Sequence, residues 1–166
     1  MKNIIVANAG PIIALGSINR LDLLKNLFHK IVLPDQVRNE ILEGGSAGSG
    51  VEAYNDAHWI QVKKTTKSHE PLLTGMLHGG EAQVIQLALE LSIDRILIDE
   101  SKARKIARNI YGLKVIGTTR VLIDAKKKGL IGDVSNALQS MRENGYWISD
   151  RIVTFACQEA GEINEE

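Results

Sequence analysis

Four polar residues stand where an apolar neighbourhood demands a reason for them. Asn8 follows the run "IIVA", and Asp99, with Glu100 beside it, follows "RILI". In an open parallel sheet the carboxyl ends of strands face a crevice lined by helix N-termini, and ligands bind there. An acid at a strand end also serves as a turn former or helix cap, and for Asp99 taken alone that is the simpler reading. Glu40, in "PDQVRNEIL", lies three residues after Val37 and one before Ile41, on the flank of an apolar stripe. Its stem can pack while its head meets solvent or a base, or its carboxylate can be turned toward a buried partner. Glu81 falls in the first turn of "GGEAQVIQLALE", where negative charge complements the helix dipole. The two glycines before it let the backbone approach a neighbouring loop closely, which suits an acid aimed into a cleft.

Three carboxylates brought together repel by roughly 3 kcal/mol per pair at about 5 Å and an effective dielectric near 20, so such a cluster needs a cation. Hard oxygen donors with no imidazole or thiolate nearby select Mg²⁺ or Mn²⁺ over zinc. The four histidines, His29, His58, His69 and His78, show no i, i+4 pair and no HExxH context, and each is given a surface or loop role.

Short β-branched runs alternate with helical periods, which predicts an α/β domain with a mostly parallel sheet. Strands are expected at "NIIV", "KIVL", "WIQV", "RILI" and "LKVIG". Helices are expected over 11–18, 20–28, 35–43, 51–57, 80–91, 101–110, 118–128, 133–143 and 149–160. In the clearest of them, 101–110, Ala103, Ile106, Ala107 and Ile110 recur at i, i+3, i+4 and i+7, and Ser101 can cap the start. "GGSAGSG" at 44–50 reads as a mobile loop and "KKTTKSHEP" at 63–71 as an exposed connection. No repeat or linker divides the chain, and residues 1–166 are read as one domain.

Hydrophobic residues make up 44% and charged residues 24%, the balance of a soluble globular protein. Twenty Lys and Arg match 20 Asp and Glu, which excludes a global attraction for nucleic acid or acidic membranes and leaves only local ones. Aromatic content of 4% argues against base stacking as a major binding device. The single Cys157 excludes an internal disulfide and any multi-cysteine zinc site, and it suits a buried, inert thiol in a reducing, cytoplasmic setting. The uncharged run 3–19 is broken by Asn8, Gly10, Pro11 and Gly16, too short and interrupted to span a membrane. "ANA" at 7–9 lacks the apolar segment that precedes a signal-peptidase site, so no targeting segment is expected.

"VANAGPIIAL", "RLDLLKNLF", "IVLPDQVRNEI", "GGEAQVIQLALEL", "ILIDESKARKIA", "GLKVIGTTRVLIDAKKKGLI" and "GYWISDRI" occur in this order from residue 4 to about 162. In these segments the chain resembles the PIN-domain superfamily, and within it the prokaryotic VapC-toxin-like branch. The resemblance implies a three-layer α/β/α sandwich with a mostly parallel central sheet and a metal-dependent nuclease site of clustered acids. Carried over by position, it makes Glu40, Glu81 and Asp99 catalytic and makes Asn8, Glu40, Glu81 and Asp99 the ligands of Mg²⁺ or Mn²⁺. Position 8 departs from the pattern: an amide oxygen can ligate a hard cation or orient its water, but it brings no charge. Some members of the branch are similar to this sequence in having Asn there. The partners implied are RNA, a small antitoxin that covers the site, and a second copy of the chain in a homodimer.

The activity expected is hydrolysis of RNA phosphodiesters by water activated with one or two of these ions. Lys102, Arg104, Lys105 and Arg108 follow Asp99 on one helix and can reach flanking phosphates, although each also suits a solvated face. Thr118 or Thr119, after "KVIG", can hydrogen-bond water at the metal or cap the next helix. The "KKK" at 126–128 ends a helix before Gly129 and is read as structural. A catalytically weak RNA- or partner-binding module is the rival reading, because Asn8 is neutral. A nucleotide-binding domain is weaker still, with no GxGxxG or Walker sequence. Apolar surface for a partner is expected on 20–28 and 51–57, since "LDLLKNLF" has more apolar positions than one buried stripe needs.

Overall fold

Ile5, Val6 and Ala7 are fully buried, as a strand covered on both faces must be. They belong to β1 (Ile4–Ala7), the centre of a five-stranded, wholly parallel sheet in a computed structural model that describes residues 3–44, 49–66 and 71–163. The other strands are β2 (Lys30–Pro34), β3 (Gln61–Lys63), β4 (Arg95–Leu97) and β5 (Lys114–Ile116), in the order β3-β2-β1-β4-β5. On one side of β1, Ile5 pairs with Ile31 of β2; on the other, Ala7 pairs with Leu97 of β4. The chain thus runs outward from β1 to β3 and then starts again at β4 on the opposite side. A reversal of this kind opens a crevice beyond the strand ends. Asn8 and Asp99 flank it, and the Asn8 N–H donates across it to the Leu97 carbonyl at 2.9 Å.

Ten helices are seen among the described residues: α1 (Ala9–Ser17), α2 (Asp22–Leu27), α3 (Asp35–Gly44), α4 (Ser49–Asp56), α5 (Pro71–Met76), α6 (Gly79–Glu90), α7 (Ser101–Asn109), α8 (Thr118–Lys127), α9 (Val134–Glu143) and α10 (Asp150–Glu159). Helices α3, α5, α6 and α7 pack together as one set, α2, α8, α9 and α10 as another, and α1 touches both. The result is a three-layer α/β/α sandwich. Helix α6 lies deepest, with Gly80 and every residue from Ala82 to Ala88 buried, so its apolar character on all sides matches its place.

All five expected strands form, and the nine expected helices form with ends displaced by one or two residues. Helix α5 was not expected; Pro71, read as the end of an exposed connection, opens it, and Lys63 belongs to β3, while residues 67–70 lie outside those described. Similarly Gly44 closes α3 and Ser49 and Gly50 open α4, so the ends of the loop expected at 44–50 are helical, while residues 45–48 lie outside those described. Gly50 is there for packing: a methyl group on Gly16 of α1 would sit 3.0 Å from the Gly50 Cα, a crossing only two glycines allow. Helix α7 is capped by Glu100 rather than by Ser101, and Ile110, beyond its last turn, is 49% exposed instead of joining the core with Ala103, Ile106 and Ala107.

The apolar surface expected on 20–28 is absent. Leu21, Leu23, Leu24 and Phe28 are all buried, because α2 is covered by β2 on one side and α8 on another. Val51, Ala53 and Tyr54 of α4 are likewise half-buried, against α1 and α3. Large apolar side chains reach solvent elsewhere, at Trp147, Ile152 and Phe155.

Candidate functional site

Asp99 emerges from β4 into a lattice of donors. Thr118, 3% exposed at the start of α8, gives its N–H to Asp99 Oδ1 at 2.8 Å and its hydroxyl to Oδ2 at 2.6 Å. The Tyr146 hydroxyl also donates to Oδ2. Burial, the charge of Asp99 and this bond push the Tyr146 hydroxyl far above the usual phenol range, so it stays a donor. Arg104 completes the wall: its Nη1 donates to the Ile98 carbonyl at 2.9 Å. Burial lowers the guanidinium's proton affinity and the Asp99 charge restores part of it. Gly117 makes this closeness feasible, since a methyl group there would stand 2.6 Å from Arg104 Nη1 and 3.0 Å from Asp99 Oδ1. Thr118 therefore supports an acid; the cap of α8 is Gly117, without any side-chain bond.

A second group of acids gathers at the N-termini of α6 and α7. Glu40 of α3 accepts the Gly80 N–H through Oε1 at 2.9 Å, so it satisfies one of the open donors of α6 at the positive end of that helix. A methyl group on Gly80 would lie 2.6 Å from Glu40 Oε2, and Gly79 adopts φ +38°, a left-handed conformation that glycine accepts at least cost. The glycine pair is expected to let the backbone approach a neighbouring loop; what it approaches is the Glu40 side chain of α3. Glu81 follows at once. Its carboxyl pKa is raised, first by burial, then by the Glu100 and Glu40 charges, against the lowering effect of His78 and Lys102. Glu100 itself is spent as a cap, accepting from the N–H groups of Lys102 at 3.0 Å and Ala103 at 2.7 Å.

Glu40 and Glu81 are thus brought within electrostatic reach of each other, with Glu100 as a third charge that spacing alone did not single out. Asp99 lies one residue from Glu100, held in its own cradle of Thr118 and Tyr146. Asn8 sits at the neighbouring strand end, where its Oδ1 is buried and accepts no hydrogen bond among the described residues. An orphaned buried acceptor costs about 1–3 kcal/mol, and this one is a hard oxygen of the kind divalent cations take. Lys102, Lys105 and Arg108 are exposed along α7, which begins two residues after Asp99.

Among the described residues no three His, Cys, Asp or Glu side chains stand in a set ready to hold a metal ion. The donors nevertheless fit a hard divalent ion in kind: an amide oxygen without a partner, and the Glu81 carboxylate, whose proton affinity is raised by burial first and by the Glu100 and Glu40 charges next. Asp99 fits less freely, since three donors already occupy its two oxygens. No helix among the described residues is long and apolar enough to cross a membrane.

A family model for the PIN domain matches residues 4–162. The chain belongs to the PIN-domain family. No curated protein and no solved structure matches it. PIN domains are generally nucleases with a fold that acts on nucleic acid, and they typically use divalent metals. In this PIN domain the strand-end acid is Asp99 and the strand-1 position is Asn8, both at the switch-point crevice.

Proposed function

We propose that this PIN domain is a metal-dependent endoribonuclease, the toxin of a toxin-antitoxin pair, and that it hydrolyses RNA phosphodiesters. The observation that carries the reading is the buried, unpartnered Asn8 Oδ1 at a sheet switch point that it shares with Asp99. Glu81, Glu40, Asp99 and Asn8 would hold Mg²⁺ or Mn²⁺, which when bound lowers the pKa of water and neutralises charge on a phosphate. Thr118 and Tyr146 fix the Asp99 carboxylate, so its free lone pair has a set direction. Lys102, Lys105 and Arg108 draw in the RNA backbone, and Arg104, anchored on Ile98, presents a fixed charge at the pocket wall. Residues 1–166 act in this reading as one cytoplasmic domain that forms a homodimer and is covered by a small antitoxin.

Single-turnover cleavage of a structured RNA with Mn²⁺, run beside Asp99→Asn and Glu81→Gln, tests it. Loss of cleavage in both variants is expected; equal rates in all three proteins remove the site. The three hydrogen bonds that Asp99 already accepts from Thr118 and Tyr146, leaving little of it for a metal ion, favour one rival, a PIN module that binds RNA or a partner without turnover. A thermal midpoint that does not move with millimolar Mn²⁺ would select that rival.

A further inference from the structure

Trp147 is 84% exposed, yet the backbone that carries it is pinned on both sides. Tyr146 turns inward to Asp99, and its N–H is bonded to the Met141 carbonyl at 2.9 Å. Ile148 turns inward as well, 6% exposed, and its carbonyl accepts from Arg142 Nε at 2.9 Å. Trp147, between these two inward residues, faces solvent. Ile152 and Phe155, 46% and 58% exposed, follow at i, i+3 on α10. These three side chains form the apolar side of a pocket of about 410 Å³, whose polar side is Asp99, Arg104 and Thr118. Trp147 also lines a second pocket with Arg142 and Asp150.

The core has no need of these exposed groups. An exposed indole on a backbone held at both neighbours, lining one pocket with the anchored Arg104 guanidinium and with Asp99, has the make-up of a platform for a flat, partly polar ring attached to a phosphate. The exposed Lys102, Lys105 and Arg108 on α7, which starts at the same pocket through Ser101, favour a polyanion over an apolar peptide. We infer that the Trp147–Ile152–Phe155 surface is a stacking subsite for an unpaired nucleobase of single-stranded RNA, one that sets the strand beside Asp99. This rests on the RNA reading above and adds to it the side chains that hold one base, Trp147 first among them. The low aromatic content argued against stacking because composition counts rings and does not locate them; one of only two tryptophans stands at the pocket mouth.

The test is equilibrium binding in EDTA, where cleavage is blocked, of a single-stranded oligoribonucleotide and a duplex of equal length. The proteins compared are the wild type, Trp147→Ala and Trp147→Phe. Trp59→Phe leaves Trp147 as the sole tryptophan, and its fluorescence should be quenched by the single strand. Trp147→Ala should weaken the single strand by about tenfold while duplex binding is unchanged, and Trp147→Phe should keep most of the affinity. All three proteins should melt together, because Trp147 is solvent-exposed. Equal single-strand affinity in wild type and Trp147→Ala overturns the subsite and leaves the nuclease reading standing. A wild type that binds no RNA even at low salt overturns both. A Trp147→Ala protein that keeps its RNA affinity but changes from dimer to monomer in light scattering overturns the subsite in favour of a protein interface.

Discussion

Tyr146 donates to the same oxygen of Asp99, Oδ2, that accepts the Thr118 hydroxyl, so two neutral hydroxyls from α8 and the α9–α10 connection converge on one carboxylate. Bonds to a charged acceptor are stronger than neutral ones. Tyr146→Phe should cost about 1–2 kcal/mol, because Asp99 keeps both Thr118 bonds while losing one donor. For a chain of this size the thermal midpoint should fall by about 3–6 °C. An unchanged midpoint in calorimetry would show that the hydroxyl bond adds nothing.

Gly80 and Glu40 are coupled by space. A side chain at position 80 would displace the carboxylate that bonds the Gly80 N–H. Gly80→Ala should therefore destabilise the protein by about 1–2 kcal/mol in urea unfolding, even though alanine favours helices. In a Glu40→Ala background the same change should cost nothing or stabilise. An additive double-mutant cycle would mean the clash is relieved elsewhere.

Glu162 holds the start of α9 from 28 residues away. Its carboxylate accepts from the N–H groups of Val134 at 2.8 Å and Ser135 at 2.9 Å and from Lys126 Nζ at 3.0 Å. Burial alone would raise its pKa, but the bonds from Ser135, Lys126 and Val134 outweigh that and hold it at about 2. A folded pKa below the unfolded one contributes stability above the unfolded value, about 4.5, that fades as pH falls toward 2. Wild-type stability should drop across that window, and Glu162→Gln should be less stable at pH 6 and flatter below pH 5. Parallel curves for the two proteins would show another carboxylate responsible. Of the lysine run at 126–128, Lys126 has a structural tie, its bond to Glu162.

The strands were legible because β1, β2 and β4 are continuous apolar runs, and α7 because its core face and basic face separate cleanly. Helix α5 was not, since "PLLTGM" is short, holds a glycine and has no apolar repeat long enough to show a period. At the site, Glu40 could be suspected from its place on the flank of an apolar stripe, as could strand-end Asn8 and Asp99, but the contact of Glu40 with Gly80, 40 residues away, could not. Tyr146 could not: its partner lies 47 residues away, and nothing local in "GYWIS" distinguishes the inward tyrosine from the outward tryptophan. Glu100 was read only as a neighbour of Asp99, because its capping role and its pressure on Glu81 appear only once α6 and α7 are side by side.

Glu81 carries a cost in the fold. Burial first, then the Glu100 and Glu40 charges, raise its pKa, so its ionised form is disfavoured in the folded state. For an acid with a raised folded pKa the unfolded chain binds fewer protons, and stability declines as pH rises from the unfolded value through the folded one. Glu81→Gln removes that charge and should make the protein in EDTA modestly more stable at pH 7. Added Mn²⁺ should reverse the order, since an ion that binds only the folded state stabilises it in proportion to occupancy and the amide holds it less well. Thermal melts of both proteins in EDTA and in Mn²⁺ decide the matter: a crossing of the two midpoints supports Glu81 as a ligand, and an equal rise in both removes it from the metal site.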